Sequence, residues 1–136
     1  MFALLRLFMR GRTELPEDEA SGEYVPESLT KPLNWGEIFP RRAPIEIDLG
    51  CGDGAFLMAM ARANPEHNFL GIERLLGRVC KSCRKIARED LKNVRVLRIE
   101  VAYAVSNLLP ADSIIAFHLL FPDPWPKRRH HRRRAF

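Results

Sequence analysis

Residues 45–63 hold this chain to one kind of fold. Ile45-Glu46-Ile47-Asp48-Leu49 alternates in strand fashion, Gly50-Cys51-Gly52-Asp53-Gly54 places a glycine at every second position, and an apolar, Ala-rich stretch from Ala55 to Ala63 runs on until Pro65. That is strand, glycine loop, helix, the opening unit of an α/β fold with a parallel sheet. The glycines let a ligand approach the backbone closely.

Because Gly50, Gly52 and Ala55 also satisfy a dinucleotide fingerprint, spacing alone does not name the ligand. Charge separates the candidates. Asp48 and Asp53 flank the loop, where they would repel a pyrophosphate but attract the sulfonium and ammonium of S-adenosylmethionine. Phe69 to Glu73 reads as a second strand, with Glu73 lying 23 residues past Gly50, the separation at which an acid reaches the ribose diol of an adenosine. Both candidate cofactors carry that ribose. Val94 to Ile99 gives a third strand ending at Glu100.

The run Ile114 to Leu120 is nearly all apolar and reads as a fourth strand, buried on both faces of a parallel sheet. Phe121-Pro122-Asp123-Pro124-Trp125-Pro126 ends it with three alternating prolines, which lack an N–H and stiffen the loop. A loop there lies at the carboxyl edge of the sheet, where open α/β folds bind their ligands, so Asp123 becomes a candidate catalytic carboxylate. Lys127 to Arg134 then holds six Lys or Arg and no acid, which leaves 16 bases against 17 acids in the rest of the chain. All of the positive excess therefore sits beside the candidate loop, as phosphate neutralisation requires.

Phe121 to Arg134 resembles the signature of the bacterial tRNA (guanine-N7)-methyltransferases, a strand ending in Phe-Pro-Asp-Pro-Trp followed by Lys, Arg and His, and the resemblance extends back to about Ile45. It implies a class I S-adenosylmethionine-dependent methyltransferase fold, Rossmann-like, with the four strands in the spatial order 3-2-1-4. It also implies methyl transfer from S-adenosylmethionine to N7 of a variable-loop guanosine in tRNA. On the matching positions, Asp48, Gly50, Gly52, Gly54, Glu73, Glu100 and Asp123 would bind the cofactor. Asp123 would also orient guanine and stabilise its developing positive charge. Lys127, Arg128, Arg129, His130, Arg132 and Arg133 would bind the substrate. Glu46, in a strand that should be central, has no part in this scheme. The family's later strands and its Thr-Asp substrate motif are absent before Phe136, so the expectation is a truncated domain with little activity alone and its fourth strand left as an edge.

The rest of the chain is less informative. Thr13 to Ser28 holds six acids, two prolines, a glycine and no base, the composition of a flexible arm. Leu33 to Phe39, with Asn34 as a cap before Trp35, fits one docking helical turn stopped by Pro40. The expected division is an arm at 1–44 and an incomplete Rossmann-like domain at 45–136. Arg74, Arg78, Lys81, Lys85 and Arg88 recur at helical spacing opposite Leu75, Val79, Cys83 and Ile86, a basic amphipathic helix. Cys80 and Cys83 read as packing, and His130 and His131 sit among cations that would oppose a metal, so no metal is expected. Three cysteines and no membrane-length apolar run fit a cytoplasmic protein. A Rossmann oxidoreductase and a non-catalytic RNA-binding fragment are the rival readings; the first is disfavoured by Asp48, Asp53 and the proline loop.

Overall fold

The computed structural model describes residues 22–120. In chain order they form β1 (Glu23–Tyr24), α1 (Trp35–Ile38), β2 (Ile45–Leu49), α2 (Ala55–Ala63), β3 (Asn68–Glu73), α3 (Leu76–Glu89) and β4 (Val94–Arg98). There follow α4 (Val101–Tyr103), which runs into a π-helical turn at Ala104–Leu108, and β5 (Ile114–His118). The sheet is parallel throughout, in the order β1-β4-β3-β2-β5. Without β1 this is the expected 3-2-1-4 arrangement, a partial Rossmann-like fold.

Alternation of side chains sends β2 two ways. Ile45, Ile47 and Leu49 face a core closed by Leu33, Ile38 and Phe39 around α1 and by Val101, Ala104 and Leu108. On the opposite face, Leu57, Met58 and Ala61 of α2 and Val79, Cys83 and Ile86 of α3 cover Phe69, Val94 and Val96. Gly71 lets α2 come this close, since a Cβ there would stand 2.6 Å from Leu57 Cδ2 and 2.7 Å from Cys51 Sγ. At α1 the Asn34 side chain accepts from the Gly36 N–H at 3.0 Å, and Trp35 Nε1 donates to Ser113 Oγ at 2.7 Å. The basic face of α3 is turned outward, with Val79, Ser82, Cys83 and Ile86 buried.

Two expectations are corrected. Glu23–Tyr24, inside the acidic stretch read as an arm, is the edge strand of the sheet, with Glu23 paired to Val96 and Tyr24 to Leu97. Backbone N–H and C=O groups make that ladder whatever the side chains are, so an acidic composition did not prevent it. Its Glu23 carboxylate also lies 4.0 Å from Arg98 Nε. The second concerns β5, expected to be left as an edge strand yet with both faces buried. Among the described residues it is the other edge, with Ile115 57% and Phe117 46% exposed, because nothing described covers that face of it. No helix among the described residues is long and apolar enough to cross a membrane.

Candidate cofactor-binding site

The three central strands β2, β3 and β4 end side by side, and their carboxyl ends carry Asp48, Glu73 and, two residues past β4, Glu100. Between the first two lies the glycine loop. Gly50, Gly52 and Gly54 have φ of 71°, 60° and 82°, the left-handed region that favours glycine. They serve different ends. Among the described residues, a Cβ on Gly50 or Gly52 would meet no atom within 4 Å, so the backbone there borders open space, whereas a Cβ on Gly54 would stand 2.6 Å from Ser82 Oγ. Gly50 and Gly52 thus leave room in front of the loop, and Gly54 lets α2 seat against α3.

Glu73 braces the loop. Its Oε2 accepts from the Gly52 N–H at 3.0 Å, and its Oε1 accepts from the Arg74 and Leu75 N–H groups at 2.9 and 3.0 Å. A carboxylate offers about four lone-pair positions, so one acceptor position remains for a ligand hydroxyl. The loop is also held from behind by α3. Lys85 Nζ donates to the Asp53 carbonyl at 2.9 Å and lies 3.5 Å from its carboxylate, while Ser82 Oγ approaches the Gly52 carbonyl at 3.4 Å. Asp53 Oδ1 accepts from the Ala55 N–H at 3.2 Å, and that bond, with Lys85, holds its carboxyl below the ordinary range.

Asp48 is 5% exposed, and burial pushes its carboxyl up to about 6 although His118 pulls the other way. A buried carboxylate next to open space, bounded by a glycine backbone, is stabilised by a cation rather than by a phosphate. Glu100, at the start of α4, is half exposed, with Arg74 Nε 3.9 Å from its Oε2. Arg78 NH1 lies 3.9 Å from Glu73 Oε2, so two arginines border the same mouth.

A protein family described as "Putative methyltransferase" matches residues 42–136. The chain belongs to this methyltransferase family. A curated tRNA (guanine-N(7)-)-methyltransferase of Thermotoga maritima is 39% identical over 113 residues, which are 82% of this chain and 36% of that protein. One of Salmonella typhimurium is 36% identical over 136 residues, covering 96% of this chain and 57% of that protein. The chain therefore spans roughly a third to just over half of the length of these relatives. A solved structure of PKMT2 from Rickettsia typhi also overlaps it in part, at 22% identity over 49% of this chain and 14% of the other, with a TM-score of 0.41.

In this chain, then, Asp48, Gly50, Gly52, Gly54, Glu73 and Glu100 come together at the carboxyl ends of the central strands. Asp123, Lys127, Arg128, Arg129, His130, Arg132 and Arg133 lie outside the described residues, beyond the end of β5. Sequence reasoning missed Ser82 and Lys85 as supports of the glycine loop. The signal was there in Ser82, a polar residue inside the apolar stripe that includes Val79, Cys83 and Ile86. A concavity of about 720 Å³ between Tyr24 and Glu37 shares no lining residue with the glycine loop, and its wall offers no comparable set of carboxylates and open backbone. Among the described residues no group of three His, Cys, Asp or Glu is arranged to hold a metal ion.

Proposed function

We propose that the chain binds S-adenosylmethionine at the β2–β4 edge and contributes that site to tRNA (guanine-N7) methylation. The observation that carries this reading is the pairing of a buried acid, Asp48, with an open glycine backbone at Gly50 and Gly52. S-adenosylmethionine supplies an electrophilic methyl group on a sulfonium. Asp48 would face the cationic end of the cofactor, Glu73 the ribose hydroxyls with its remaining acceptor position, and half-exposed Glu100 the adenine amino group.

Guanine N7 carries an in-plane lone pair and no proton, so attack on the methyl group needs in-line positioning and no general base. The methylated base becomes cationic. Asp123, by the family resemblance, would orient guanine and stabilise that charge. Lys127, Arg128, Arg129, His130, Arg132 and Arg133 would hold tRNA phosphates. A tRNA substrate implies a cytoplasmic protein. We also propose that 45–136 is the methyltransferase unit, with α1 and β1 added to it from the preceding segment.

Calorimetry with S-adenosylmethionine, S-adenosylhomocysteine and NAD tests the cofactor. Binding of the first two and not of NAD is expected; NAD binding in their place overturns the reading in favour of an oxidoreductase. Incubation with unmodified tRNA and S-adenosylmethionine tests the position, and any methyl transferred should appear as N7-methylguanosine. Transfer to another atom refutes the assignment, and tRNA binding without any cofactor binding marks the non-catalytic RNA-binding reading as the right one.

A further inference from the structure

Glu46 is 6% exposed in the middle of the sheet, and each of its oxygens engages one imidazole. Its Oε1 lies 2.6 Å from His67 Nδ1 and its Oε2 lies 2.7 Å from His118 Nε2. His118 is the last residue of β5, in register with Asp48 on β2. Its ring meets that of Phe56 edge-on, with centroids 5.4 Å apart and planes at 63°. Phe56 stands in the first turn of α2, directly after the glycine loop. The imidazole is therefore held by Glu46 through its N–H and by Phe56 through its ring, beside the acid of the cofactor site.

We infer that Glu46 and His118 are a positioning pair for cofactor binding: Glu46 fixes the His118 ring beside Asp48, where an imidazolium favours the carboxylate that a cationic cofactor selects. The inference rests on the methyl-donor reading of Asp48 given above. It gives Glu46 the role that the family resemblance leaves empty, and it makes His118 a positioning residue rather than a catalytic one.

The electrostatic surroundings are simple. On β2 the ring faces Glu46 and Asp48. From the loop before β3, His67 reaches the same Glu46 carboxylate. Beyond Asp48 stand the buried Cys51 thiol and Glu73. Residues 55–61 of α2 contain no ionisable side chain. Both histidine bonds lower Glu46 against the burial that would raise it, so the acid stays ionised and each imidazole retains a charged acceptor. A protonated His118 in turn opposes the burial that raises Asp48.

The pair is tested with His118→Phe, which keeps a ring against Phe56 and removes the N–H, and with the near-isosteric Glu46→Gln. In the cofactor-free chain, ¹³C NMR follows the Asp48 carboxyl, and its midpoint should rise in His118→Phe from the wild-type value of about 6, while Glu46→Gln, which also takes a like charge from the Asp48 face, should shift the His118 ring resonances. Calorimetry at two pH values gives the second readout. At pH 6, the affinity of His118→Phe for S-adenosylmethionine should fall about three- to tenfold, and at pH 8, where Asp48 is ionised in wild type and variant alike, it should change by less than about twofold. An unmoved Asp48 midpoint in folded His118→Phe or unmoved His118 resonances in folded Glu46→Gln overturns the inference, and so does an equal loss of affinity at both pH values, which is what a merely structural role would give. A wild-type chain that binds no S-adenosylmethionine refutes the methyl-donor reading instead; the midpoint, measured without cofactor, then still decides the pair.

Discussion

Gly54→Ala should unfold the site that Gly52→Ala merely blocks. Both positions sit at positive φ, 82° and 60°, where an L-residue loses about 1–2 kcal/mol. The difference lies behind them. Among the described residues the alanine methyl at position 52 meets nothing within 4 Å, whereas at position 54 it meets Ser82 Oγ at 2.6 Å, Ser82 Cβ at 3.1 Å and Met58 Cε at 3.2 Å. Rotating the Ser82 hydroxyl relieves the shortest contact but gives up its approach to the Gly52 carbonyl, and Ser82 is fully buried, so its Cβ has little room to retreat. Overpacking of this kind adds about 1–3 kcal/mol. Urea unfolding should therefore show Gly54→Ala destabilised by about 2–5 kcal/mol and Gly52→Ala by about 1–2 kcal/mol. Adding Ser82→Ala to Gly54→Ala should recover part of the steric share and none of the backbone share, a coupling of about 0.5–2 kcal/mol in a double-mutant cycle. Equal stability of the two single variants, or a cycle with no coupling, would refute the view that Gly54 is there to seat α2 on α3.

Gly52→Ala should lose only the backbone share of about 1–2 kcal/mol in urea while calorimetry shows at least about tenfold weaker S-adenosylmethionine binding, because the methyl enters the space left in front of the loop. Asp48 should make the cofactor-free chain lose stability as pH rises. Its folded midpoint of about 6 stands above the unfolded value, so its contribution is full below about pH 4 and disappears by about pH 6, a change of roughly 1–3 kcal/mol that Asp48→Asn should abolish in urea titrations. Cofactor affinity should run the opposite way over the same window and level off above it, since the ionised acid is the binding form. Replacing Arg132, Arg133 and Arg134 with alanine should flatten the salt dependence of tRNA binding by about 0.7–0.9 in log K per log salt for each phosphate left unneutralised, as read by filter binding.

The parts of the fold that depend on local pattern were legible. Strand limits at Ile45–Leu49, Asn68–Glu73 and Val94–Arg98 fall within a residue of the sequence reading, and Asn34 caps α1 as its side chain predicts. What depended on distant partners was not. Glu46 had no visible role because His67 and His118, 21 and 72 residues away, carry no periodic signal that points to it. Glu23–Tyr24 was hidden because a two-residue ladder has too little length to show alternation. The apolar run of β5 implied two covered faces, but hydropathy records what a strand would bury, not whether a neighbour is there to bury it. At the candidate site, spacing pointed to the glycine loop and Glu73 and the family resemblance to Glu100, while Ser82 and Lys85 were masked by the helix whose outer and inner faces they share.

The position of β1 has a consequence in time. Glu23 leaves the ribosome ahead of the rest of the sheet, yet its partner Val96 is made 73 residues later, after β2, α2, β3 and α3. The β2–β3 ladder, closed by the 23-residue step from Ile45 to Asn68, needs none of this delay. The segment that carries β1 must therefore wait beside a growing sheet and dock only when β4 has set its outer edge. The β2–β3 ladder can thus close during synthesis while the strand made first still lacks its partner.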